Sequence, residues 1–325
     1  MAKRPSTEEH LAMLRRLREG PAGEHQIAAL EALLKQPQLH GIVVKLAADA
    51  AMRCGGRALA PALAEAAGQL MGGTGAKRDP GCEGKTAIAK ALVEWGYNDA
   101  AWFVELARYR QIEPGFGGPN DTAGECRGIA AIAIARLAPE GAIILLADLL
   151  VDEKSITRAN AAVALGQWAG SEAAPLLRLK AQIGDDDAEV IGETLASLLG
   201  QDPEQQLAFV CSKLRSPDAR IVEAAALALG QSRLSAALQP LIDCWNTLRR
   251  APVATSILTA IALLRTPESV DWLVATMGKV MTKEGETIVD ALRIYRGDSR
   301  IRERVRAATQ GSQALAQAFH DVFGD

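Results

Sequence analysis

The sequence has few histidines, few aromatic residues and no paired cysteine motif. Only four histidines occur in 325 residues, and none lies between residues 41 and 319. A Ser-His-Asp or Cys-His mechanism is therefore not expected in the middle of the chain. The five cysteines are odd in number and form no Cys-X-X-Cys pair, so reduced thiols in a cytoplasm fit better than a disulfide framework. We expect no metal site and no cofactor.

Long apolar runs and strand patterns are also missing. The longest apolar stretch, Gly128 to Val151, is interrupted by three charged residues, so no run reaches the roughly 18–20 uncharged residues that span a bilayer. The first nine residues contain no apolar core typical of a secretory signal. Alternating Val, Ile and Thr are absent, which makes a sheet unexpected. The net charge of −3 argues against a dedicated nucleic-acid binder.

What the sequence does contain is an internal repeat. The tripeptide Leu-Gly-Gln occurs three times, with its leucine at positions 165, 199 and 229, in steps of 34 and 30 residues. Alanine or leucine stands three and four residues before each leucine, which is the spacing of one helix face. We expect the glycine to end each helix in a left-handed cap. A period of 20–50 residues is typical of repeat proteins, in which each unit buries its apolar face against its neighbours.

A helix, a short turn and a second helix in about 30 residues resembles the HEAT-repeat superfamily, in particular its short bacterial form. The resemblance implies an all-α, right-handed solenoid of about eight or nine helical pairs over residues 1–325. The predicted parts are a cap helix (1–23), divergent repeats (24–151), regular repeats (156–281) and a C-terminal cap (284–325). The predicted pairs cover 24–40, 41–71, 84–110, 124–151, 156–183, 188–215, 220–248, 252–281 and 284–323.

Two long connections interrupt the repeats, at residues 72–84 and 111–124. Long loops in compact domains are uncommon and are often functional. Each loop joins the second helix of one predicted pair to the first helix of the next, so both leave the same edge, about one repeat apart, and could touch. The run Thr122-Ala123-Gly124-Glu125 has the spacing of a capping box, which predicts that Thr122 caps the following helix.

Aromatic residues are concentrated beside these loops. Six of the thirteen lie within 22 residues: Trp95, Tyr97, Trp102, Phe103, Tyr109 and Phe116. They either fill the volume beneath the loops or line a pocket or partner-binding groove.

Lys85 and Arg127 stand near the starts of two neighbouring predicted helices, where free N–H groups could bind a phosphate or carboxylate. Alternatively, Arg127 pairs with Asp121 or Glu113, and Lys85 pairs with Asp79 or Glu83, which would only hold the loops in place. The predicted binding residues are Lys85, Trp102, Tyr109, Glu113, Phe116, Asp121 and Arg127. We expect the arginine, Asp121 and Trp102 or Tyr109 to converge around one concavity.

Near the C-terminus, six arginines fall between residues 293 and 306. Pairs spaced i,i+4 repel unless they are neutralised. Arg296, Arg300 and Arg304 are therefore candidates for binding an anion or nucleic acid, although they are far in sequence from the aromatic cluster.

The leading functional hypothesis is a non-enzymatic scaffold that binds a protein or peptide through its concave face or through residues 79–127. It follows from the resemblance, since HEAT-like arrays mostly serve this way. The first alternative is a HEAT-like lyase or chaperone-type protein that holds a small anionic or planar ligand at the aromatic cluster. The second is nucleic-acid binding through the C-terminal arginines.

Overall fold

The structure is a computed structural model that describes residues 6–19 and 23–324. In these residues all regular secondary structure is helical apart from one two-stranded hairpin, which confirms the predicted all-α fold. The chain divides into two compact units, Met1–Ala169 and Gly170–Asp325. Residues 1–5 and 20–22 of the predicted N-terminal cap, and residue 325 of the C-terminal one, lie outside the described residues.

Unit 1 contains ten helices and the hairpin within its described residues. The elements are α1 (Thr7–Glu19), α2 (Glu24–Leu34), α3 (Gly41–Arg53), α4 (Ala60–Met71), α5 (Gly75–Arg78), α6 (Glu83–Glu94), α7 (Ala100–Arg108), β1 (Ile112–Gly115), β2 (Gly118–Asp121), α8 (Gly124–Leu137), α9 (Ala142–Leu149) and α10 (Ser155–Gly166). The first helices of successive pairs stack in the order α1, α3, α6, α8 and α10.

Glycine and alanine allow this close stacking. A Cβ at Gly84, in the first turn of α6, would lie 2.8 Å from the carbonyl oxygen of Gly41, the first residue of α3. A Cβ at Gly128 in α8 would lie 2.8 Å from the side-chain amide nitrogen of Asn160 in α10. The small residues that dominate the composition are therefore the ones that let neighbouring repeats approach.

Unit 2 is a second helical stack. Its described helices are α11 (Ala173–Ile183), α12 (Ala188–Gln201), α13 (Pro203–Lys213), α14 (Ala219–Ser232), α15 (Leu238–Leu248), α16 (Ala254–Leu263), α17 (Pro267–Met277), α18 (Thr282–Ala291), α19 (Ser299–Thr309) and α20 (Gln313–Phe323). The helices α12, α14, α16, α18 and α20 stack on one another in sequence. Their apolar faces form one core, in which Trp245 is the largest fully buried side chain.

Short polar residues explain where many helices begin. In unit 2, Asp187, Asp202 and Asp218 each accept a hydrogen bond from a backbone N–H in the first turn of the following helix. Such N-caps satisfy donors that have no partner inside the helix. Pro203 and Pro267 stand at the first positions of α13 and α17, where a missing N–H is harmless.

The predicted role of the Leu-Gly-Gln glycines is wrong. Gly166, Gly200 and Gly230 lie inside their helices and do not form left-handed caps. At Gly230 the reason for glycine is packing, because a Cβ there would lie 2.5 Å from the carbonyl oxygen of Ala260 in α16. Gly200 has open space where its Cβ would be, with no atom within 4 Å.

Two predicted pairs also need correction. Residues 24–40 hold one helix, α2, which follows α1. Residues 284–323 hold the greater part of α18 followed by α19 and α20, three helices where a pair was predicted. No described helix is long and apolar enough to cross a membrane.

Candidate functional site

The two long loops contain regular structure that the sequence did not predict. The first holds the short helix α5 and a helical turn over residues 80–82 before α6 begins. The second folds into the antiparallel hairpin β1–β2, with Ile112 opposite Asp121 and Gly115 opposite Gly118. Gly117 and Gly118 adopt positive φ at the turn, a conformation that glycine reaches without strain. The expectation that no sheet forms is therefore wrong for these residues.

The two loops lie against each other, as predicted. The backbone N–H of Gly81 donates to both carboxylate oxygens of Glu113, each at 3.0 Å. The Gln111 side-chain amide donates to the carbonyl oxygen of Asp79 at 2.8 Å and to Glu113 Oε1 at 2.6 Å. Glu113 thus joins the hairpin to the turn that precedes α6 and does not contact Arg127 through a hydrogen bond or ion pair among the described residues.

Lys85 and Asp79 form a buried ion pair inside the first loop. Lys85 Nζ lies 2.8 Å from Asp79 Oδ2, and the two side chains are 0% and 1% exposed. The same carboxylate accepts from the backbone N–H groups of Gly84 and Lys85 at 2.8 and 3.1 Å. A carboxylate at this position satisfies free donors and is favoured by the helix dipole. Asp79 therefore occupies the position at the start of α6 where the sequence predicted that a phosphate or carboxylate could bind.

Arg127 is the centre of a second buried cluster. Its guanidinium lies 2.8 Å from Asp121 and makes two hydrogen bonds, of 2.9 and 2.8 Å, to the carboxylate of Asp152. A further N–H donates to the carbonyl oxygen of Tyr109 at 3.0 Å. Arg110 is half exposed and contacts both carboxylates, at 3.1 and 3.3 Å. Two arginines and two aspartates thus balance in charge at the base of the hairpin.

These contacts lower the pKa of both aspartates. Burial alone would raise the pKa of Asp152, but hydrogen bonds from Arg127 and from the backbone N–H of Lys154 outweigh it. Burial would also raise the pKa of Asp121, but hydrogen bonds from the backbone N–H groups of Ala123 and Gln111, together with the charge of Arg127, outweigh this effect. A carboxylate that accepts several hydrogen bonds keeps its charge to low pH.

Asp121, not Thr122, organises the start of α8. Its Oδ1 accepts from the backbone N–H groups of Gln111 and Ala123 at 3.1 and 3.0 Å. The helix begins at Gly124, after Ala123, and no side chain caps it there. The Thr122 hydroxyl instead donates to the carbonyl oxygen of Gln111 at 3.3 Å. The predicted capping box is wrong because the chain enters α8 through the hairpin end, where Asp121 is the nearer acceptor.

Tyr109 joins the network through its hydroxyl and its backbone. The hydroxyl donates to Gln111 Oε1 at 2.7 Å, and Lys85 Nζ lies 5.5 Å from the centre of the ring. Burial raises the pKa of the Tyr109 hydroxyl, and nearby negative charges add to this effect. The side chain therefore remains a neutral hydrogen-bond donor.

Two buried cysteines lie beside the same network. Contact with the Cys126 thiol, together with the charge of Lys85, lowers the pKa of Cys82. The same contact and burial raise the pKa of Cys126. Thr86 Oγ1 lies 3.2 Å from Cys126 Sγ. Within the described residues, no group of three or more His, Cys, Asp or Glu side chains is arranged to hold a metal ion.

The other two predicted site aromatics lie outside the network. Trp102 donates from its indole N–H to the carbonyl oxygen of Ala64 in α4 at 3.2 Å, and its ring packs edge-on against Phe103. Phe116 stands at the tip of the hairpin with its side chain fully exposed. The structure thus gathers Lys85, Tyr109, Glu113, Asp121 and Arg127 in one network. Arg127 and Asp121 are buried in the protein interior, whereas the sequence predicted that they lie around a concavity.

Sequence reasoning missed Asp152, Arg110 and Gln111, which complete this network. Asp152 follows α9 and is 25 residues from Arg127 in sequence. No motif or spacing marks it, because its partner is supplied by the packing of the next repeat. The pairing of Lys85 with Asp79 was one of the alternatives that the sequence left open.

The C-terminal arginines are partly neutralised within the chain. Arg304 pairs with Asp271 at 2.6 Å, and Arg293 pairs with Asp290 at 2.5 Å. Arg306 lies over the ring of Phe319. Arg296 and Arg300 have no side-chain ion pair among the described residues. The arrangement leaves fewer free cations than the sequence suggested for a nucleic-acid surface.

Comparison with known proteins gives only weak likenesses to solved structures. No family model and no curated protein matches the chain. A solved structure of an engineered protein is 18% identical over 98% of this chain and 95% of the other, with a TM-score of 0.36. A chain from the Pds5-Scc1 complex is 12% identical over 97% of this chain and 66% of the other, with a TM-score of 0.35. At these scores, the fold assignment rests on the helices of the structure itself.

Proposed function

We propose that the protein is a non-enzymatic interaction scaffold that binds a protein partner through the hairpin β1–β2. The observation that carries this proposal is the exposed Phe116 at the tip of a hairpin whose base is held by buried charges. We also propose that the helical pairs are divergent HEAT-like repeats. The five free thiols support a reducing compartment such as the cytoplasm.

The hairpin presents apolar surface to solvent. Phe116 is fully exposed and Ile112, on β1, is 63% exposed. Exposed apolar side chains on one element are typical of an interaction surface, and burial of one phenylalanine side chain contributes about 1.5–3 kcal/mol.

The base of the hairpin is fixed in a way that supports recognition. Asp121 and Gln111 at the two ends of the hairpin are both buried and hydrogen-bonded to each other. Next to Asp121, Lys154 Nζ donates to Asn120 Oδ1 at 2.5 Å. A buried ion pair is poor support for stability, since desolvation offsets much of the attraction. Its use here is to hold one loop conformation, which lowers the entropy lost when a partner binds.

The groove along the first helices of unit 1 is a less favoured docking surface. It encloses about 460 Å³ between α3, α6 and α8. Two of its cations already pair with neighbouring helices, Lys45 with Glu83 at 2.8 Å and Lys90 with Glu125 at 2.7 Å. These charges are satisfied without a partner, whereas the apolar tip of the hairpin is not covered.

The test replaces Phe116 by serine and compares the variant with Ile144→Ser, an exposed apolar residue of α9. Proteins captured from lysate of the source organism by wild type and by each variant are quantified by mass spectrometry. The affinity of the leading protein, once purified, is then measured by calorimetry. We expect Phe116→Ser to weaken binding about tenfold to a hundredfold and Ile144→Ser to have no effect. Equal affinity for wild type and Phe116→Ser would exclude the hairpin as the binding element.

A further inference from the structure

A second binding pocket lies at the other end of the helices, on the edge opposite the hairpin. It encloses about 460 Å³ and is lined by residues of two successive helix–helix turns, 57–61 and 95–98. Arg127 and Arg136 stand nine residues apart near the two ends of α8, which places them about 14 Å from each other. Arg136 lies beside Gly96 of the pocket lining, so the pocket is separate from the hairpin network.

Two guanidinium groups approach Gly96, one of the residues that line this pocket. Arg57 Nη2 and Arg136 Nη1 both lie 3.9 Å from the point where a Cβ would stand at Gly96. Arg136 donates to the carbonyl oxygens of Val93 and Tyr97 at 3.1 and 3.4 Å, which fixes its position at the end of α6. It keeps further N–H groups free, since a guanidinium carries five.

Neither arginine is neutralised by a carboxylate. Among the described residues, Arg57 and Arg136 form no ion pair, and the Arg57 guanidinium makes no side-chain hydrogen bond. The acidic neighbours in sequence are Glu94 and Asp99. Asp99 is engaged as the cap of α7, where it accepts from the N–H of Trp102 at 3.0 Å. Two cations that both approach Gly96 and form no ion pair favour a ligand that carries more than one negative charge.

Two aromatic residues are part of the pocket lining. Trp95 and Tyr97 line it from the turn after α6, and Pro61 lines it from the start of α4. Gly96 between the two aromatics has a φ of +66°, which turns the chain so that both side chains reach the pocket. Arginine binds phosphate through two parallel hydrogen bonds. Aromatic rings and guanidinium groups both stack on planar groups.

We propose that this pocket binds an aromatic ring that carries a phosphate group. The two guanidinium groups contact the phosphate, and Trp95 and Tyr97 contact the ring. The ligand is either a free aryl phosphate or a phosphotyrosine side chain of a protein partner. The proposal does not depend on the hairpin, whose loss of binding would leave this pocket intact.

The probe is phenyl phosphate, titrated into the full chain by calorimetry, with phenol and inorganic phosphate as the two partial ligands. We expect phenyl phosphate to bind at least about tenfold more tightly than either, because each partial ligand lacks one set of contacts. Equal affinity for phenyl phosphate and inorganic phosphate would overturn the proposal, as would the absence of phenyl phosphate binding. A short peptide with one phosphotyrosine distinguishes the sources: tighter binding than phenyl phosphate indicates a protein side chain, and weaker binding indicates a free ligand.

Arg57→Gln and Arg53→Gln form a matched pair of variants, since each removes one exposed arginine and the same charge. Arg53 lines the groove on the first-helix face and not this pocket. We expect Arg57→Gln to weaken phenyl phosphate binding about tenfold or more, with an unchanged melting temperature, and Arg53→Gln to bind as wild type does. Equal loss in both variants would show an effect of net charge only and would refute the pocket. Phe116→Ser should bind phenyl phosphate normally, which separates this test from that of the hairpin.

Discussion

The buried pair of Lys85 and Asp79 makes a quantitative prediction about stability. Asp79→Asn removes the charge but keeps a carbonyl oxygen that can accept from the N–H of Gly84. The Lys85 ammonium, whose side chain has no exposed surface, would then keep only the carbonyl oxygen of Leu70 at 3.5 Å and the face of Tyr109. A buried charge left without its partner costs about 3–5 kcal/mol, and we expect a loss of that size in the free energy of unfolding.

Removing the lysine charge should reduce the free energy of unfolding by less than removing the aspartate charge. In Lys85→Met, Asp79 still accepts from two backbone N–H groups at the start of α6, so its charge stays solvated by the helix end. The double variant Asp79→Asn/Lys85→Met removes both charges but keeps an acceptor at the start of α6, and it should recover most of the loss seen in Asp79→Asn. The asymmetry follows from geometry, because the carboxylate keeps two backbone N–H donors whereas the ammonium keeps one long hydrogen bond and the face of a ring.

The assay is urea denaturation followed by far-ultraviolet circular dichroism, with the slope of the transition compared among variants. The control is Glu83→Gln, which breaks the exposed pair with Lys45 at the same distance of 2.8 Å. Exposed pairs are worth about 0–1 kcal/mol. If Asp79→Asn costs no more than Glu83→Gln, the buried pair is not desolvated as the structure indicates and the reasoning is wrong.

Two further predictions concern the repeats and the hairpin base. Gly230→Ala should destabilise the protein by about 1–3 kcal/mol because its Cβ meets the backbone of α16. Gly200→Ala lies in open space and should stabilise its helix by up to about 1 kcal/mol. Thermal unfolding of both variants checks this, and a similar effect at the two sites would contradict it. The lowered pKa values of Asp121 and Asp152 mean that their contribution is complete above the unfolded value of about 3.9 and is lost as the pH falls through the folded value. Wild type should therefore lose more stability than Asp152→Asn between about pH 4 and pH 2, measured by urea titrations at each pH, and parallel curves would exclude this role.

The helical repeat was predictable because it depends on local spacing. The i, i+3, i+4 alanines and leucines before Leu165 and Leu229 form one face of a helix whatever lies beyond it. The contact of the two long loops was also predictable, since helix order alone puts both on one edge. Residues 72–84 and 111–124 were accordingly recognised as the irregular part of the chain.

The details inside those loops were not predictable from spacing. Thr122 fits a capping box, yet Asp121 takes the acceptor role because the hairpin places its carboxylate beside Gln111 and Ala123. Gly230 resembles a helix-ending glycine in sequence, but its role is the close approach of α16. In both cases a nonlocal contact overrides a local preference.

By itself, the amino-acid sequence determined the helices, their repeat length and the place where the regular pattern breaks, because these depend on side chains a few positions apart. Only the tertiary structure decided which charges are paired and which are free. Asp152 reaches Arg127 because α8 and α10 stack, and Arg57 and Arg136 both approach Gly96 because successive repeats place them at one edge. Coulomb interactions and burial depend on distance in space, and residues far apart in sequence acquire that distance only when the repeats pack.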